Sequence, residues 1–319
     1  KEQERLEKIV ENSNLIKEKK KYTRQEKEQN QVIKDLIITS DSFVIDRPKF
    51  ASKSIIAGFP WFLDWGRDTF IAFEGILLVT KRFEEAKSVL KTFTKDIKEG
   101  LVPNGYAEGT DKPLYNSVDA SLLLFEVVNK YLSYTKDYDF VKENLYNILK
   151  DIIFNYTKGI NLDNNNIYVA EDNLLNSGTK DTQNTWMDAK IGDYVVTPRN
   201  GKAVEINALL YNALKTMEEL STIIEGKRVA KKYSNLAEKC KESFNQKFYN
   251  EKKKCLFDVL GDGKVRPNQL FALSLTHPIV DLDSSIAKNV ISTVEKKLLT
   301  PYGLRTLAKG EPNYVEVYE

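Results

Sequence analysis

The chain has 319 residues, 41% hydrophobic and 29% charged, a globular composition with enough length for one large domain or two ordinary ones. Lys+Arg 48 against Asp+Glu 46 leaves a formal charge of +2, so composition gives no reason to expect a nucleic-acid or membrane-surface partner. Cys240 and Cys255 do not make a metal-binding spacing and His277 is the single histidine, in a Thr-His-Pro turn, which excludes His-rich metal sites and argues against a Ser-His-Asp triad.

Two scattered cysteines read as buried small apolar residues of a reducing compartment. No apolar run approaches the roughly 18 residues of a membrane span, and no signal-peptide pattern opens the chain, so cytoplasm is the default location. The chain starts without Met inside a charged helical pattern and ends without a closing element, which reads as a fragment.

Residues 1–39 are charge-dense, with apolar positions at Leu6, Ile9, Val10, Val32, Ile33, Leu36 and Ile37; this predicts one or two solvated helices serving as a lead-in. The basic run from Lys17 to Lys21 reads as a solvated face. A short strand is expected at Phe43-Val44-Ile45. Residues 40–319 are expected to form one (α/α) barrel domain, incomplete at its C-terminal end; residues 38–60 read as irregular, and from Thr69 onward one plan repeats. Residues 69–79 are apolar on nearly all sides, the pattern of a buried helix, and residues 83–98 carry a single apolar stripe. The same alternation returns at 117–131 and 140–156, at 204–224 and 229–248, and more weakly at 270–275 and 286–298. Residues 160–162 and 167–169 flank an Asp-Asn turn and read as a β-hairpin within the long loop 157–200.

Alternating buried and striped helices joined by unequal loops predict an all-α fold of the (α/α)6 toroid or barrel type. An α-solenoid is disfavoured because no fixed period or self-similar repeat is present. The four helix pairs do not close a six-pair ring, so the barrel is expected to continue beyond Glu319.

Chemistry-bearing residues fall just before the buried helices. The stretch Trp61-Phe62-Leu63-Asp64-Trp65-Gly66-Arg67-Asp68 holds two of the three tryptophans with two acids and a guanidinium. Indole faces stack on the C–H faces of sugars, while carboxylates and forked donors take hydroxyls. Tyr115-Asn116-Ser117-Val118-Asp119, the 199–207 segment with Lys202, Glu205 and Asn207, and Arg266-Pro267-Asn268-Gln269 open the later buried helices. Each has a plain reading as a cap or first-turn acid; together they argue for a polar pocket at one mouth of the helical scaffold. In the long loop, Thr185-Trp186-Met187-Asp188 sets an acid beside the last tryptophan, and a carboxyl desolvated by an indole is suited to act as a general acid.

These segments, together with Thr197-Pro198-Arg199-Asn200 and Tyr302-Gly303-Leu304-Arg305-Thr306, occur in an order that resembles the amylo-α-1,6-glucosidase (C-terminal) domain of glycogen debranching enzymes. The resemblance runs from about residue 40 to the end. It implies an (α/α)6 barrel, inverting hydrolysis of α-1,6-linked glucose stubs on glycogen or a related branched α-glucan, and no metal or organic cofactor. It places Asp188 as general acid. It assigns Trp61, Asp64, Trp65, Arg67, Asp68, Asn116 and Asp119 to the glucose pocket, with Trp186 beside the acid and Lys202, Glu205, Asn207 and Gln269 as further polar groups. The family's catalytic base is a glutamate later in the barrel. Neither Glu316 nor Glu319 sits in its context, so the base is expected beyond residue 319 and this polypeptide alone is expected to be weakly active or inactive. Other readings are a glucoamylase- or trehalase-like (α/α)6 α-glucosidase and a non-catalytic glycan-binding helical domain.

Overall fold

A computed structural model describes residues 1–16, 19, 21–47, 51–106 and 112–317. Residues 17, 18 and 20 of the basic run and Glu319 lie outside the described residues. The chain is mostly helical, with small two-stranded hairpins, and divides into two compact units. No helix among the described residues is long and apolar enough to cross a membrane.

The first unit comprises residues 1–98, 102–115 and 127–145. Helix α1 (Glu2–Ser13) is followed by α2 (Arg24–Asp41), which starts at a full capping box between Thr23 and Glu26. Strand Val44–Arg47 pairs antiparallel with Ser52–Ile55, extending the expected short strand into a hairpin. Helix α3 (Gly66–Phe73) runs into a π-helical turn at Glu74–Leu78, and α4 is Phe83–Lys95. Phe70, Phe73, Leu77 and Leu78 are buried as the apolar run predicts, yet Ile71 is 58% exposed, so this helix is not covered on all sides within the chain. In α4 the stripe Ala86, Val89, Leu90, Phe93 is fully buried. The last part of α5 (Asp119–Thr135) and α6 (Tyr138–Asn144) complete this unit.

The second unit comprises residues 99–101, 116–126 and 146–319. Its helices are the start of α5, α7 (Tyr146–Lys158), α8 (Val204–Ile224), α9 (Lys227–Lys247), the single turn α10 (Phe271–Ser274) and α11 (Ser285–Lys297). Helix α8 matches its predicted bounds and is buried on nearly every side from Val204 to Leu214. Its partner α9 presents only Ala230, Tyr233, Ala237, Cys240 and Phe244 inward, the three-and-four spacing of one helical face. Cys240 and Cys255 are both free and buried, and burial pushes the Cys240 thiol up to about 12.

Three local expectations are corrected. The helix expected over 140–156 breaks at Leu145 between α6 and α7. The weak fourth buried helix is a 3-10 turn, Pro267–Leu270, followed by α10 alone. In the long loop, Tyr168–Val169 pairs forward with Leu175–Asn176, and the 160–162 side contributes one bridge, Ile160 to Ile167. The reason is local: Asp163, Asn164 and Asn166 adopt left-handed backbone, so the chain coils at Leu162–Asn164 instead of staying extended.

Candidate functional site

In the first unit the 61–68 stretch is held by its backbone and by one buried acid. Gly66 N–H donates to the Asn104 carbonyl at 2.7 Å. A Cβ on Gly66 would lie 2.5 Å from the Pro103 carbonyl oxygen, and one on Gly105 would lie 3.1 Å from the Trp65 ring. The Trp-Gly pair is thus pressed against the 103–105 backbone, with no room for a side chain at Gly66 and a tight fit at Gly105. Asp64 is 2% exposed; it accepts two hydrogen bonds from Arg47 (2.9 and 2.6 Å) and one from Ser54 (2.7 Å). The Arg47 guanidinium lies 4.8 Å from the Tyr106 ring centre. Asp64 therefore braces the stretch from behind, while Trp61 is 85% exposed, Asp68 is exposed in the first turn of α3, and Trp65 and Arg67 are half-buried.

In the second unit, Ser117 caps α5, its hydroxyl accepting from Ala120 N–H at 3.1 Å and donating to the buried Asp119. Val118 N–H donates to the Asn184 carbonyl (2.8 Å) and the Val118 carbonyl accepts from the Tyr156 hydroxyl (2.8 Å), which ties the Asn116–Asp119 segment to the start of the Asp188 loop. Half-buried Asn116 lines an amide-rich cleft of about 610 Å³ with Asn165, Asn184 and Lys190. Asp188 is half-buried, two residues before the hairpin Lys190–Ile191/Tyr194–Val195, of which Val195 is buried and the rest exposed.

The Asp188 loop rests on a buried polar cluster. Trp186 Nε1 donates to Asn268 Oδ1 at 2.7 Å, and Asn268 Nδ2 donates to Asp258 Oδ1 at 2.7 Å. Asp258 also accepts from Arg199 Nε (2.8 Å) and Nη2 (3.0 Å), and Arg199 forks onto Glu205 and donates to Thr185 Oγ1 at 3.2 Å. Burial opposes the charge on Arg199, but Glu205 and Asp258 outweigh it and hold the guanidinium above its ordinary range. A guanidinium paired with two carboxylates and fully hydrogen-bonded is the arrangement in which such ions tolerate burial.

Several residues expected to face substrate are used within the protein. Glu205 (1% exposed) is committed to Arg199. Asn207 is fully buried and clasps Leu175 through its N–H (2.7 Å) and carbonyl (3.1 Å). Gln269 bonds Leu256 N–H and the Arg266 carbonyl, and Lys202 pairs with Asp172 at 2.6 Å. Arg199 and Asn268 lie inside motifs the sequence displays, though without an assigned role; Asp258 carries no signal in sequence and enters through its bonds with Arg199 and Asn268. Arg266 donates to the Thr306 carbonyl (2.9 Å), joining two of the motifs beside a second cleft of about 440 Å³.

The profile of a family described as amylo-alpha-1,6-glucosidase matches residues 38–319. A glycogen debranching enzyme of Saccharomyces cerevisiae is 26% identical over 83% of this chain; the chain spans 23% of that relative's length. In three dimensions the chain is similar to a metal-independent α-mannosidase of Streptococcus pneumoniae, with TM-score 0.59 and 14% identity over 96% of this chain and 80% of that one. It is also similar to a rhamnosidase of Klebsiella oxytoca, with TM-score 0.52 and 14% identity over 73% of this chain and 41% of that one.

Proposed function

Because the chain belongs to the amylo-alpha-1,6-glucosidase family, we propose that it hydrolyses single α-1,6-linked glucose stubs on glycogen or limit dextrin. The observation that carries this reading is the family match over residues 38–319, which includes the Thr185-Trp186-Met187-Asp188 loop. The (α/α)-toroid class belongs to the same reading, supported by the helical alternation and by likeness in fold to the two solved enzymes.

Asp188 is proposed to protonate the glycosidic oxygen as the leaving glucan departs. A second carboxylate, which the family resemblance puts in a segment following residue 319, activates water on the opposite face, at about 6.5–9.5 Å from the acid. In the second unit, Asn116 offers amide contacts to sugar hydroxyls and Trp186 an apolar face. In the first unit, Trp61, Trp65, Arg67 and Asp68 present the ring faces and polar groups that glucose recognition needs. Asp64, Asp119, Glu205, Asn207 and Gln269 support these residues from within the protein.

The test compares glucose release from phosphorylase limit dextrin and from linear maltooligosaccharides by a longer polypeptide that extends past residue 319, by its Asp188→Asn variant and by residues 1–319 alone. Removing a general acid should lower limit-dextrin turnover by about 10²–10⁴-fold, with binding retained. Residues 1–319, lacking the base, should release little glucose. A preference of the longer polypeptide for the linear chains, or undiminished turnover by Asp188→Asn, would overturn the proposal.

A further inference from the structure

We propose that Asn268 is a positioning residue for the general acid: with Asp258 and Arg199 it fixes the Trp186 indole, and through it the carboxyl of Asp188. This rests on the reading of Asp188 as the acid and adds to it a relay of fixed polarity.

The polarity follows from the chemistry of the partners. An indole nitrogen can only donate, and an ionised carboxylate can only accept. Asn268 stands between them with Nδ2 2.7 Å from Asp258 and Oδ1 2.7 Å from Trp186 Nε1. Rotating the amide by half a turn would oppose oxygen to oxygen and N–H to N–H, so its orientation is dictated at both ends. Asp258 is itself immobilised by two bonds from Arg199, and Asn268 is 2% exposed. Arg199 also reaches Thr185 Oγ1, the residue before Trp186. The two residues at the base of the acid loop are thus fastened, one by its side-chain hydroxyl and one by its indole, to the same buried guanidinium–carboxylate cluster. Asp188 follows two positions later on a segment that has no helix or strand of its own. An acid on a loop delivers its proton only if the loop is held in place, and a displacement of about 1 Å can cost about 10²-fold in rate.

The experiment compares two substrates in the longer polypeptide. Limit dextrin needs a proton on the departing oxygen. In α-glucosyl fluoride the C1–F bond breaks with fluoride leaving as the anion, water adds at C1 and its proton passes to the base, so little is asked of the acid. Asn268→Ala should lower kcat on limit dextrin by about 10²-fold with KM nearly unchanged, and lower fluoride hydrolysis by less than about three-fold. In the Trp186→Phe background the same substitution should cost far less than it does alone, because the indole tie is gone and only the weak contact of Asn268 Nδ2 with Met187 Sδ (3.7 Å) remains between it and the loop. The Trp186 indole N–H resonance, identified by its loss in Trp186→Phe, should move in Asn268→Ala. If Asn268→Ala does not fold, Thr185→Val cuts the other tie and should show the same selective loss. Equal loss on both substrates, or unchanged kcat on limit dextrin, overturns the positioning role. If Asp188→Asn itself shows no difference between the two substrates, the acid assignment fails, while the indole resonance still reports whether the tether exists.

Discussion

At the residue scale, the ends and the middle of the aromatic stretch do different work, and packing decides which. Trp61 and Asp68 face outward, while Asp64 turns inward to Arg47 and Ser54. Sequence cannot distinguish these acids, since each stands beside an aromatic or an arginine; the distinction comes from Arg47, seventeen residues earlier, which reaches Asp64 with two bonds. Gly66 is the clearest case of a residue chosen by space. Its nitrogen bonds Asn104, and a methyl group would press on the Pro103 carbonyl at 2.5 Å, where backbone has to move. Gly66→Ala should therefore destabilise by about 1–3 kcal/mol, as overpacking does elsewhere. Thermal or denaturant unfolding measures it, and because Gly66 opens α3, Arg67 and Asp68 should shift with it. An unaltered midpoint would show that the close approach costs nothing to relieve.

At the scale of elements, helices were legible wherever apolar spacing alone decides the fold. Helix α8 was readable end to end because it is apolar all round, and α9 because its inward residues recur every three or four positions. The break at Leu145 and the exposure of Ile71 were not legible, because neither changes the local pattern. The long loop was legible as a functional segment by its length and its tryptophan, yet its pairings were not. Asn207 and Asp172, which organise it, act on residues 30 or more positions away. Asp172 receives Lys202 and Lys247, each at 2.6 Å, and so joins the loop to the approaches of α8 and the end of α9. Partial burial pushes the Asp172 carboxyl up, but the two lysine hydrogen bonds outweigh it and leave it below the ordinary carboxylate value. A depressed folded value means that the contribution is complete above about pH 3.9, the unfolded value, and is lost as pH falls through the folded one. For a partly exposed cluster it amounts to at most about 1 kcal/mol at neutral pH. Asp172→Asn should lower stability by that much at pH 7 and flatten the acid limb of a stability–pH curve, measured by urea unfolding at several pH values. An unchanged acid limb would place the titration elsewhere.

At the scale of the whole molecule, the charge-dense opening consists of two helices of unequal standing. Among the described residues of α1, only Ser13 is buried, and its Arg5 meets Asp41 at the end of α2. Helix α2 packs on the π-helical turn at Glu74–Leu78, buries Ile37, and through Asp41 pairs with Arg82 at 2.9 Å. Arg82 is almost wholly enclosed at the start of α4, with Glu85 as its other acid. The two helices should therefore differ sharply under truncation. A chain beginning at Thr23 keeps the capping box, Ile37 and the Asp41–Arg82 pair, and loses mainly exposed side chains and two ion pairs, Arg5–Asp41 and Lys19–Glu26. It should unfold within about 1 kcal/mol of the longer chain, a Tm shift of about 2–4 °C. A chain beginning at residue 42 loses the cover over the π-helical turn and leaves Arg82 short of one carboxylate in a buried setting. That combination should cost about 3 kcal/mol or more, since an enclosed ion deprived of a partner is far more expensive than an exposed one. Calorimetry on the two truncations separates the cases. Equal and small losses would make α2 a detachable leader like α1, whereas a large loss on removing α1 alone would mean that its surface contacts carry weight their exposure does not suggest.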